Sequence, residues 1–160
     1  MAKKIETQGL EYLYNNTELY AIIVRDSYRN SSISFFTPAD FSQQLGYLPH
    51  RRGAVIEPHE HKINTRIVNF TQEVLVIKEG RVKVNFYDNN RLYVFSEELD
   101  RGDVILLCGG GHGFEILEES VMIEIKQGPF NGPDDKEKFG DSRTEDTAER
   151  PADSGEEVFT

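Results

Sequence analysis

The stretch Glu73-Val74-Leu75-Val76-Ile77-Lys78-Glu79-Gly80-Arg81-Val82-Lys83-Val84-Asn85-Phe86-Tyr87 decides the fold class. Val74 to Ile77 is a dense run of β-branched and aliphatic residues, and Glu79-Gly80 supplies a turn. Val82, Val84 and Phe86 then alternate with Arg81, Lys83 and Asn85, as the two faces of a half-buried strand require. Turn residues continue to cut the chain at short intervals. Asp88-Asn89-Asn90 precedes a strand from Arg91 to Phe95, and Asp100-Arg101-Gly102-Asp103 precedes Val104 to Leu107. Gly113 to Leu117 and Val121 to Ile125 follow, closed by Gly128-Pro129. Strands at this spacing, joined by tight turns, indicate an all-β sandwich or barrel.

Towards the amino terminus, Tyr20 to Val24 and Ile33 to Phe36 read as further strands that extend the sheets or build a dimer face. Thr37-Pro38-Ala39-Asp40 is a turn or a helix start. Leu10 to Leu19 fits either a short helix or an extended arm, because its apolar spacing matches neither period. No internal repeat stands out.

The chain has 160 residues, 38% of them apolar, which suits one domain with one compact core. No apolar run is long enough to cross a membrane, and Met1 to Gln8 carries no apolar stretch followed by a cleavage site. A cytoplasmic location is expected. The single cysteine, Cys108, rules out an internal disulfide and fits a reducing compartment. The net charge of −10 is unevenly placed, since from Asn131 to Thr160 ten acidic residues stand against four basic ones. Such a tail buries too little apolar surface to offset its ordering entropy, so disorder is expected from about Gly140 onward. Val158-Phe159 is its only apolar handle for a partner. No basic stripe is present, which argues against nucleic acid.

His59 and His61 are separated by one residue, so on a strand they point to the same side and can converge on one ion. By the same parity Glu73 shares a face with Leu75 and Ile77, and His112 with Phe114 and Ile116. If those apolar partners face the core, Glu73 and His112 do too. A buried carboxylate and imidazole need a partner there, either an ion or each other. Three imidazoles and one carboxylate make a mixed nitrogen and oxygen shell that suits zinc, iron, nickel or copper. Arg51, Arg52, Lys62 and Arg66 flank the histidine pair, and with Gln72 they are candidate contacts for an anionic small molecule. His50 reads as a surface residue. Cys108 has the parity of His112, but a small buried thiol is the usual role for such a residue.

The glycines around these residues give the spacing a family likeness. Gly53 lies six positions before His59 in His59-Glu60-His61, and Glu73 lies seven before Gly80. A second block runs from Gly102 to His112. This resembles the cupin superfamily, as a small single-domain member, over Gly53 to Lys126. Three departures are visible: eleven residues between His61 and Glu73, longer than the family's usual gap; Cys108 where the second motif has proline; and His112 one residue early after Gly102. A bulge in Gly109-Gly110-Gly111 would absorb the last of these.

The resemblance implies a double-stranded β-helix, the cupin jelly-roll barrel, with residues 1–50 as an arm and strands packing on it, 51–130 as the barrel core and 131–160 as the acidic tail. It also implies one divalent transition metal ion, which ligand types alone leave open among iron, manganese, nickel, zinc and copper, held by His59, His61, Glu73 and His112, and a homodimer. Cupins include isomerases, dioxygenases and storage proteins, so the fold leaves the reaction open. The first expectation is a metalloenzyme, a metal-dependent isomerase or dioxygenase, on a small polar or anionic substrate such as a carbohydrate derivative. His59-Glu60-His61-Lys62 with Gln72 also resembles the nucleotide-sugar ketoisomerase branch, in which a histidine moves protons without a metal. A non-catalytic ligand-binding or regulatory cupin is the third expectation.

Overall fold

A computed structural model describes residues 1–130 and 132–143. In chain order the strands are β1 Ala2–Thr7, β2 Leu10–Asn15, β3 Glu18–Val24, β4 Ser34–Phe35, β5 Gly46–Tyr47, β6 Glu73–Glu79, β7 Arg81–Tyr87, β8 Tyr93–Asp100, β9 Val104–Leu107, β10 Gly111–Ile116 and β11 Val121–Lys126. A short 3-10 turn, Gly132–Asp135, follows. The described chain is therefore all-β, and its strands pair antiparallel throughout. No described helix is long and apolar enough to cross a membrane.

Two sheets pack across one core. The larger runs β1-β2-β3-β9-β6-β11 and the smaller β10-β7-β8, with β4-β5 as a separate ribbon; none of them closes into a barrel. The alternation in β7 has its expected result: Val82, Val84 and Phe86 are fully buried against Leu75 and Ile77 of β6, Leu99 of β8 and Ile105 of β9. Each such side chain contributes roughly 1.5–3 kcal/mol by leaving water. Tyr20 is an extra residue in β3, since Leu13 pairs with Ala21 and Tyr14 with Leu19. This bulge lets both Tyr20 and Ala21 reach the inter-sheet core.

The opposite face of the large sheet has its own cover. Ile22, Val74 and Leu106 point away from the smaller sheet and meet Tyr28 and Phe36 from the segment between β3 and β5. Tyr28 stands edge-on to Phe36 and Tyr47, with ring centroids at 5.4 and 5.1 Å. The amino-terminal residues are thus part of the main sheet rather than an addition to it: β3 pairs directly with β9.

An ion-pair network joins the two sheets at one end. Arg25 donates to both carboxylate oxygens of Glu11, at 2.6 and 3.0 Å, and to Asp103 at 2.9 Å. Lys4 reaches Glu11 at 2.8 Å and Glu97 at 2.9 Å. Asp103 accepts hydrogen bonds from the backbone of Asp26 and Asp100, which fixes the turn before β9. Burial favours the neutral form of Glu11, but the Arg25 and Lys4 hydrogen bonds outweigh it and hold its carboxyl below the usual range.

Several elements differ from the sequence reading. Leu10 to Leu19 is neither a helix nor a single arm but β2, a turn and the start of β3. β1 carries no hydrophobic alternation, and all six of its residues are exposed; backbone pairing with β2 and the Lys4 ion pairs hold it in place. Residues 136–143 continue past the acidic turn and pack on the body. Arg143 binds Glu115 at 2.8 Å and lies over the Tyr93 ring, and Phe139 stands edge-on to Tyr87. The remainder of the expected disordered tail, 144–160, including Val158-Phe159, lies outside the described residues.

Between β5 and β6 runs a long irregular segment, whose last residues, Asn69, Phe70 and Thr71, line a cleft with Leu19, Phe41 and Cys108. Every residue from 51 to 71 is exposed, and the segment forms no strand or helix. Among the described residues, no backbone group from 55 to 71 is hydrogen-bonded to another backbone group. Val55, Ile56, Ile63, Ile67, Val68 and Phe70 all stand in solvent.

Candidate functional site

Glu73 opens β6 and His112 is the second residue of β10, so they belong to different sheets. His112 pairs across the ladder with Phe86, and Glu73 shares its parity with Leu75 and Ile77; all three of those apolar residues lie in the inter-sheet core. The two polar residues therefore turn inwards from facing sheets at one end of the sandwich. They meet there. His112 Nε2 lies 3.2 Å from Glu73 Oε2 in a hydrogen bond. This is the mutual arrangement that the parity left open beside ion binding.

Two lysines complete the cluster. Lys136 Nζ lies 3.1 Å from the other carboxylate oxygen of Glu73, and Lys126 Nζ 3.9 Å from the same atom. Lys126 is the β11 residue directly opposite Glu73. The hydrogen bond from His112, with Lys136 beside it, outweighs burial and holds the Glu73 carboxyl down at about 2. Glu73 is buried, whereas His112 keeps 28% of its side-chain surface exposed. That surface lines a cleft of about 460 Å³ between β10 and the 136–141 segment, with Tyr87, Lys136 and Phe139 on its walls.

Glycines shape this end. Gly110 has φ of +66°, and a Cβ there would meet the Tyr20 ring and the Tyr87 carbonyl. The Gly109-Gly110-Gly111 run thereby turns into β10 and sets His112 opposite Phe86.

A neutral imidazole that donates Nε2–H to Glu73 carries its lone pair on Nδ1. A buried carboxylate that orients an imidazole in this way leaves the second nitrogen as a base, or as an acid once protonated. Of the two ammonium groups Lys136 lines the cleft, with Lys138, Glu137 and Asp141 also on its wall, whereas Lys126 is held by Glu124 at 3.0 Å and Asp135 at 3.7 Å.

The other sequence candidates lie apart. His59 and His61 are exposed in the 51–71 segment, with ring centroids 5.5 Å apart, and His59 Nδ1 is 2.9 Å from the Glu57 carbonyl. Arg51, Arg52, Lys62 and Arg66 are exposed on the same segment rather than ringing the cleft. Gln72 is buried at its base, where its backbone N–H donates to Gln127 Oε1. Cys108 packs with the outer cluster beside Leu106, and burial pushes its thiol up to about 12. It is an inert side chain.

For a metal ion, the four residues thus form two separate pairs. Among the described residues no three His, Cys, Asp or Glu side chains gather into a set that would hold one. Glu73 Oε1 also faces two ammonium groups, which oppose a cation at that oxygen. A single chain in this conformation does not fit the ion.

Lys126 and Lys136 were not singled out in the sequence. The pairing of β11 with β6 would have pointed to Lys126. Lys136 sits in a stretch whose acidic composition reads as tail. The chain matches no family model, no curated protein and no solved structure.

Proposed function

We propose that this chain is a small cupin-type, jelly-roll protein whose working group is the Glu73–His112 pair, acting by proton transfer on a small anionic compound such as a carbohydrate derivative. One observation carries the reading: a buried carboxylate at 3.2 Å from an imidazole whose remaining surface opens into a cleft. In that role His112 takes a proton from carbon or oxygen of the substrate and returns it, and Glu73 holds the ring and stabilises the imidazolium. Lys136, on the wall of the same cleft, binds the anion.

A second reading keeps the metal, with His59, His61, Glu73 and His112 as its ligands. It is supported by the closeness of the two members within each pair, His59 to His61 and Glu73 to His112. It requires the exposed segment to deliver its histidines to the cleft.

The first reading is tested by incubating the protein in D₂O with a panel of phosphorylated and nucleotide-linked sugars and following deuterium entry at carbon by NMR. Deuterium entry with one member of the panel is expected for the wild type, slowed by about 10²–10⁴-fold in His112→Gln and in Glu73→Gln. Exchange that survives both substitutions would overturn the assignment. Elemental analysis of untagged protein addresses the second reading, which needs about one equivalent of a transition metal, lost in His59→Ala/His61→Ala.

A further inference from the structure

We infer that the segment 51–71 is an exchange arm that seats on the open edge of β11 in a second copy of this chain, and that two copies trade arms in a symmetric dimer. The inference rests on two unpartnered surfaces that complement each other.

The first is β11. It is the terminal strand of the six-stranded sheet, so one side of its backbone has no neighbour. Val121, Ile123 and Ile125, at 43%, 48% and 51% exposure, form an aliphatic row along it. Ile123 and Ile125 pair across the ladder with Val76 and Val74 and lie on the sheet's outer face, and Val121 precedes them beyond a register shift, opposite Glu79. That face is covered around Val74 by the Tyr28 to Tyr47 segment and bare at its β11 end. An uncovered apolar edge strand is a template for another strand.

The second is the arm. A segment of this length without secondary structure is uncommon in a compact domain unless it has a function. From Arg66 to Phe70 it carries Ile67, Val68 and Phe70, and Ile63 lies just before them; all are exposed in their own chain. Four cations (Arg51, Arg52, Lys62, Arg66) stand against two carboxylates (Glu57, Glu60) in an otherwise acidic chain of net charge −10. The arm is attracted to the body of any copy. Because the segment is anchored at both ends, by β5 and by β6, about ten residues run out and ten return, and at about 3.3 Å per residue its tip reaches roughly 33 Å from the body, enough to meet an adjoining copy. Added to β11 as a strand, the arm pairs its idle backbone groups and covers the aliphatic row. Because each copy holds both surfaces, the exchange closes with two-fold symmetry.

The direction of the arm gives the exchange a consequence for the site, and this part rests on the functional reading above. Laid antiparallel on β11 with 64–69 along the strand, so that Ile67 lies opposite Ile123, the arm carries His61 and His59 past Lys126. That is the end of β11 opposite Glu73. The histidine pair of one copy then faces the Glu73–His112 pair of the other, and the four residues separated in one chain become neighbours across two.

The test uses the full chain in a Cys108→Ser background, with melting curves to confirm folding. Two differently tagged variants, Ile67→Cys and Ile123→Cys, are co-expressed, mildly oxidised and mapped by peptide mass, and the mass of the wild type and of Ile123→Lys is measured by light scattering. A disulfide that joins position 67 of one tagged chain to position 123 of the other, with a wild-type dimer that Ile123→Lys converts to monomer, is the expected result. A monomeric wild type overturns the inference. So does an Ile67→Cys/Ile123→Cys chain that links only within itself while the mixture of single variants gives no cross-tag product, since the arm then folds onto its own body. The cross-link forms whether or not any sugar exchanges deuterium, so failure of the catalytic reading is told apart from failure of the exchange.

Discussion

β7 and the 51–71 arm have similar appetites for burial and opposite fates. In β7, Val82, Val84 and Phe86 alternate with polar residues, begin after a tight turn and are fully buried. In the arm, Val55, Ile56, Ile63, Ile67, Val68 and Phe70 occur at irregular spacing and remain in solvent. The difference is one of partners. β7 has β8 on one side and β10 on the other, so its backbone and its apolar face are satisfied together. The arm has neither in its own chain, and its surface is an offer rather than a core. The candidate site spans the same division, since Glu73 and His112 sit in the body and His59 and His61 in the arm.

The contrast breaks most sharply at the core. Phe86→Ala removes a fully buried ring whose centroid lies 4.7 Å from that of Phe95 and is expected to cost about 3–5 kcal/mol, lowering the melting temperature by roughly 10 °C. A chemical denaturation series reads this directly. A loss below about 1 kcal/mol would mean that the two sheets are not packed as described.

A smaller effect is expected at the Arg25 network. Arg25→Ala leaves the buried carboxylates of Glu11 and Asp103 without their shared cation, at a cost of about 2–3 kcal/mol. The pH dependence has a definite sign. Glu11 has a folded-state pKa below its ordinary 4.5, so its contribution is present above about pH 4.5 and is lost as pH falls towards the lowered value. The stability gap between wild type and Glu11→Gln should therefore narrow on acidification through that window, as followed by urea midpoints.

The arm is expected to give the smallest change. In an Ile123→Lys background, where exchange is blocked, Ile63→Ser should move the unfolding free energy by no more than about 0.5 kcal/mol, because Ile63 is fully exposed and has no burial to lose. A larger loss would place Ile63 in the folded core of its own chain.

Period-two alternation made β7 readable because it is a local signal, and the same parity put Glu73 and His112 on the inner faces. What parity does not carry is the path of the chain between elements. It aligned His59 with His61 but said nothing about where the pair sits relative to Glu73, twelve positions further on and past an unpaired segment. β1 was silent because Ala2–Thr7 has no apolar face and is held by backbone pairing and the Lys4 ion pairs. Lys136 was hidden for a related reason. Charge and small residues mark 131–160 as a tail, yet Phe139 and Arg143 supply enough anchoring to hold 136–143 against Tyr87 and Glu115. A composition averaged over thirty residues does not register two such contacts.

Amide hydrogen exchange, resolved over 55–71 and 121–126, tests the division between body and arm most directly. It should be run on the wild type and on Ile123→Lys. Protection of 64–69 and of the β11 amides on its open edge in the wild type and its loss from both in the variant, with the β11 amides bonded to β6 and those of β7 and β9 protected throughout, is the result the account requires. Full exchange of 55–71 in the wild type, unchanged by Ile123→Lys, would contradict it and leave the arm a solvated loop.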